Sequence, residues 1–147
     1  MATIKSYTDL SQSKKLAEIL PLESADMCYL PTHIGDEHHF IASLSPYSMC
    51  SKMTDVSIKY CTPCWSLAAL LNILPNEIIT DNRFECHYQI HIRKYDGYDN
   101  TTLHQIAYGN NRGSSGSWHD MINTGEKENL IDAVFQMICW LKENKKL

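Results

Sequence analysis

Two cysteines, Cys61 and Cys64, enclose Thr62 and Pro63. A thiol attacks only as its thiolate, and the free amides at a helix N-terminus stabilise that charge. Thr62 as a cap with Pro63 at the first helical position predicts such a helix here. It would run through Trp65, Leu67, Ala68, Leu70, Leu71 and Leu74, with Pro75 after its end. Val56, Ile58 and Tyr60 alternate with polar residues just before, which predicts a short strand. Strand, cysteine pair and helix in that order make Cys61 and Cys64 candidates for thiol-redox chemistry. Three features oppose it. No proline follows Pro75 to supply the cis-proline that flanks such sites. The cap places Cys61 outside the helix and Cys64 at its second position. The elements that follow read as antiparallel. The plainer reading puts Cys64 in the core and Cys61 in a loop.

The same cysteines are candidates for one half of a metal site. Structural zinc wants four ligands, usually as two close pairs. His87 and His91 share one face of a predicted strand and could be the second pair. Cys28, His33, His38 and His39 are the other source. None of these has a standard spacing, and the plainer reading of His87 and His91 is a solvated strand face beside Gln89 and Arg93. Hydrolytic or transfer chemistry has no motif: there is no Gly-x-Ser-x-Gly, no phosphate loop and no HExxH. Gly109, Gly113 and Gly116 lack the helix and lysine of a phosphate cradle. Glu23, Asp26, Asp36 and Glu37 are scattered carboxylates. The expectation is therefore no resident cofactor and no catalytic residue. Trp65 and Trp140 are expected in the core. Trp118 follows a glycine- and serine-rich stretch that would suit an interface residue, but core packing is the plainer reading.

The elements that must position these residues are legible to different degrees. A first helix is predicted from Thr8, with Leu10, Leu16, Ala17, Ile19 and Leu20 on its apolar side, ending before Pro21. Residues 24–54 show no period and read as an irregular excursion. Cys86, Tyr88, Ile90 and Ile92 alternate with His87, Gln89, His91 and Arg93, and Asp96-Gly97 marks a turn. With those two residues as the loop, Ile90 faces Leu103 and Cys86 faces Ala107. The returning strand runs from Thr101 to Tyr108, Gly109 to Gly116 is a loop, and Trp118 to Ile122 is a third strand. Asn129 caps a final helix with Asp132 at the capping-box position, and Ile131, Val134, Ile138 and Leu141 line one face. The whole predicts an α+β fold: a small antiparallel hairpin or three-strand meander packed against about three helices.

Size and charge narrow the rest. At 147 residues the chain is expected to be one domain, 1–147, able to bury its own core. A net charge of −4 leaves no basic stripe for nucleic acid. The cluster Lys142, Lys145 and Lys146 suits a helix C-terminus. No stretch has the length of a signal sequence core or a membrane span. Six cysteines without an export signal are expected as reduced thiols in the cytoplasm.

Three stretches carry a resemblance: Lys15 to Met27 (KLAEILPLESADM), Pro63 to Pro75 (PCWSLAALLNILP) and the helix Asn129 to Asn144. Over roughly a third of its length the chain resembles small uncharacterised proteins of gut anaerobic bacteria and of their prophages and mobile elements. That group has no known activity, so the resemblance transfers no site residue. It implies a bacterial cytoplasmic setting and a mobile-element origin. The function expected is a non-enzymatic accessory domain that contacts another protein, through 24–54 or 109–118.

Overall fold

The computed structural model describes residues 5–34, 37–47, 61–80, 85–112 and 116–147, and only the backbone of 31–41. The fold is α+β, built from two antiparallel sheets and, among the described residues, three α-helices. The chain divides into two compact units, one of residues 6–71 and one of residues 1–5 with 72–147.

The 6–71 unit begins with α1, Leu10–Ala17. Its cap is Asp9, one residue later than expected: Asp9 accepts from the Gln12 amide at 2.9 Å, and the Gln12 side chain accepts from the Asp9 amide at 3.1 Å. That reciprocal pair satisfies two amides that a helix start leaves unpaired. Thr8 is free to turn inward. A 3-10 turn at Leu22–Ser24 follows. Then come β1, Met27–Ile34, β2, Glu37–Ser43, and β3, Thr62–Cys64, in the sheet order β2-β1-β3.

Much of the 24–54 stretch is therefore a hairpin and not irregular chain. Its strand period is invisible because Met27, Cys28 and Tyr29 are all buried, on both faces. Pro31 masks it further. It lies beyond the last β1 residue paired with β3, where among the described residues β1 is paired with β2 alone, a position that tolerates proline. The predicted strand 56–60 lies outside the described residues.

A second correction concerns the Cys61–Cys64 stretch. Thr62 and Pro63 do not open a helix; they pair with Tyr29 and Cys28 as the edge strand β3. An edge position makes Pro63 harmless. The helix, α2, is Leu67–Ile73. Its start is Ser66, whose hydroxyl accepts from the Ala69 amide at 3.2 Å while Asp26 accepts from the Ser66 amide at 2.8 Å and from its hydroxyl. Apolar residues on most sides of this helix would suit a central, buried position, but it is half-buried, with Leu70 its one fully covered residue.

The other unit carries β4, Glu77–Thr80, β5, Cys86–Asp96, β6, Thr102–Arg112, and β7, Ser117–Asn123, as a meander in chain order. Its helix α3, Leu130–Glu143, packs on β6. Ile131, Val134, Ile138 and Leu141 are fully buried, as their spacing predicts. Each contributes about 1.5–3 kcal/mol of apolar burial. Asn129 and Asp132 do not form a capping box. Both turn to Lys5, Asn129 accepting from its amide at 3.1 Å and Asp132 from its ammonium at 3.1 Å.

The hairpin exists, but its register differs. Ile90 pairs with Tyr108 and Ile92 with Ile106, where the two-residue turn would have paired Ile90 with Leu103. The actual turn is Gly97–Thr101, closed by the Gly97 amide on the Thr101 carbonyl at 2.7 Å. Asn100 takes the left-handed conformation at φ 61°, and the Asp99 carboxylate accepts from the Thr101 hydroxyl at 2.6 Å. Asn and Asp serve such turns as well as Gly does. β6 runs on through Arg112, so Gly109 to Arg112 belong to a strand and not to a loop.

Candidate functional site

Ile78, Tyr88, Ile106 and Tyr108 are buried on one face of the four-stranded sheet. By register, the opposite face collects Glu77, His87, Gln89, His91, Arg93, Ala107 and Gly109. A β-bulge then decides what β7 adds. Tyr108 pairs with Ile122 but Gly109 pairs with Asp120, so Met121 is the extra residue. Bulges re-aim the side chains that follow them. This one brings Asp120 and Trp118 onto the outer face, where unbroken alternation would have placed Met121 and His119.

The result is a fixed, half-exposed tryptophan. The His91 ring stacks on Trp118 with centroids 3.6 Å apart and planes 20° apart. The Trp118 indole N–H donates to Asp120 at 2.7 Å. Gly109 lies beneath the ring; a Cβ there would meet Trp118 at 2.7 Å and the His119 carbonyl at 2.4 Å. Arg93 grips Asp120 with both terminal nitrogens, at 2.6 and 2.8 Å, and donates to Gln105 at 3.0 Å. The Arg93 guanidinium beside Asp120 holds its carboxyl below the usual carboxylate range, helped by the indole. The bidentate geometry orients Asp120, and Asp120 orients Trp118.

His87 and His91 do share this face, as their strand pattern predicts. His87 sits against the Glu77 carboxylate at 3.0 Å, and His91 stacks on Trp118. Cys61 and Cys64 belong to the other compact unit. Among the described residues, no group of three or more His, Cys, Asp or Glu is placed to hold a metal ion. His33 and His38 are register partners on β1 and β2.

Cys64 is fully buried in a hydroxyl network. Its thiol lies 3.6 Å from the Thr8 hydroxyl and 3.6 Å from the Thr8 carbonyl. Thr8 shares a 2.7 Å hydrogen bond with the Ser13 hydroxyl and accepts from the Trp65 amide at 3.2 Å. The Tyr29 hydroxyl donates to the Thr8 carbonyl at 2.7 Å. Burial pushes the Cys64 thiol up, against the pull of Thr8, Ser13 and Tyr29. Burial pushes Tyr29 up as well, and the neighbouring Cys64 adds to it. With Cys64 on a strand, the helix-terminus argument for a low thiol pKa does not apply.

Trp65 is fully buried, its N–H on Ser24 at 3.0 Å, whereas Trp140 is half-buried. The Trp118 site was only partly legible: tryptophan after a turn-rich stretch was a signal, but Gly109, Arg93 and Asp120 became its partners through a bulge and a register that local patterning does not encode. No protein-family model matches the sequence. No curated protein matches it. No solved structure matches it. No helix among the described residues is long and apolar enough to cross a membrane.

Proposed function

We propose that this chain is a non-enzymatic accessory domain of a bacterial prophage or mobile element. It works in the cytoplasm and binds another protein through the outer face of β5, β6 and β7. The observation that supports this reading is the order imposed on Trp118: half-exposed, yet held by His91, Asp120 and Gly109. A side chain already fixed in place loses little freedom on binding, so its contact area converts to affinity efficiently. Tryptophan and arginine are also the types that dominate binding hot spots, and Arg93 stands two residues from His91 on the same face. The net charge of −4 favours protein over nucleic acid as the partner.

The test is affinity capture from the native host, wild type against Trp118→Ala, read by quantitative mass spectrometry. The expected result is a specific protein enriched on the wild type and reduced about tenfold or more on the variant, the effect of losing one hot-spot tryptophan. Capture of nothing specific, or equal capture by both, contradicts the reading.

A further inference from the structure

The spacing that brings Cys61 and Cys64 together in the sequence separates them in the sheet. Along an extended chain side chains alternate between faces, so an odd spacing sends two residues to opposite sides. Three steps of about 3.3 Å also put their Cα atoms about 10 Å apart, beyond the ~7 Å that a disulfide spans. Cys64 lies on the side of Met27 and Tyr29, with which it clusters. Cys61 precedes Thr62, the partner of Tyr29. Carried one residue further, the register puts Cys61 on the opposite side, with Pro63 and its partner Cys28. Tyr47 is close enough to feel both thiols: burial raises its hydroxyl first, and Cys61 and then Cys28 raise it further.

We propose that Cys28 and Cys61, not Cys61 and Cys64, are the oxidisable pair of this protein, closing a disulfide between β1 and the start of β3. By that extended register the two are diagonal neighbours, which in a ladder lie about 7–8 Å apart at Cα, just past the ~7 Å that a disulfide spans. Cys61 is half-buried and Cys28 wholly buried, which sets the order of events. The oxidant is a small disulfide of the oxidised-glutathione class. The Cys61 thiolate attacks one of its sulfurs, the reagent's S–S bond breaks, and one small thiolate leaves. The departing small thiolate takes the Cys28 proton, and the Cys28 thiolate attacks the Cys61 sulfur, expelling the second small thiolate, which takes up the proton that Cys61 released. The protein loses two electrons and two protons, and the small disulfide gains them as two thiols.

The test incubates the full chain with excess oxidised glutathione, blocks remaining thiols under denaturing conditions, and maps peptides without reductant. The expected result is loss of two of the six thiols and a peptide carrying Cys28 joined to one carrying Cys61. Cys61→Ser abolishes the loss, and Cys64→Ser preserves it. The wild-type map decides even where a variant fails to fold. A Cys61–Cys64 link, a link to any other cysteine, or six thiols still reactive would overturn the assignment.

Discussion

The two compact units spend their polar side chains in opposite ways. In the 6–71 unit Thr8, Ser13, Tyr29 and Cys64 turn inward, and each meets a partner out of water. In the other unit Arg93, Asp120, His91 and Trp118 meet on an outer face, where they position one another and still touch solvent. A buried polar group is costly unless paired, so the first arrangement specifies a structure. An ion pair that touches water contributes typically about 0.2–1 kcal/mol, more where it is bidentate, so the second contributes less to stability than the first. Its order is better explained by what it presents.

That contrast ranks the consequences of substitution. Trp65→Ala in the inward network should cost about 3–5 kcal/mol, because it leaves a cavity at a site with no exposure. Thermal or urea unfolding measures it, and a loss below about 1 kcal/mol would mean that Trp65 does not anchor the unit. Thr8→Val should cost about 1–3 kcal/mol, since it strands the Ser13 hydroxyl and the Trp65 amide together. The double-mutant cycle of Thr8→Val with Ser13→Ala should show coupling; additive effects would dissolve the network.

On the outer face the effects shrink. Gly109→Ala should cost about 1–3 kcal/mol, because the new Cβ runs into the His119 carbonyl as well as the indole. It should also shift tryptophan fluorescence; unchanged emission would mean that Trp118 does not rest on Gly109. The smallest change is Asp120→Asn, under about 1 kcal/mol at neutral pH. Since Arg93 depresses the Asp120 pKa in the folded state, the pair stabilises above the ordinary carboxylate value near ~4 and is lost as pH falls through the depressed one. The variant should therefore lose less stability than the wild type on acidification below about pH 4, and parallel acid curves would count against the pair.

The unequal legibility of the two units follows from what local patterning encodes. α3 was readable because Ile131, Val134, Ile138 and Leu141 all face one core. β1 was not, because Met27, Cys28 and Tyr29 bury on both faces and alternation disappears there. Thr62-Pro63 read as a helix start because cap chemistry is local, while the pairing with Tyr29 and Cys28 that overrides it is not. The hairpin turn slipped for the same reason: Asp96-Gly97 is the stronger local signal, but Asp99 and Asn100 build the turn that sets Ile90 against Tyr108. His87 and His91 on one face were legible from alternation. The bulge at Met121, which delivers Asp120 and Trp118 to that face, was not.

The most direct measurement sets the two surfaces side by side. Leu44, 84% exposed after β2, stands for the 24–54 surface, and Trp118 for the outer face of the sheet. Quantitative capture from the native host with wild type, Leu44→Ala and Trp118→Ala, all verified as folded, should yield one specific protein. That protein should be retained by Leu44→Ala and lost by Trp118→Ala. Loss with Leu44→Ala and retention with Trp118→Ala would contradict the account and move recognition to the other unit.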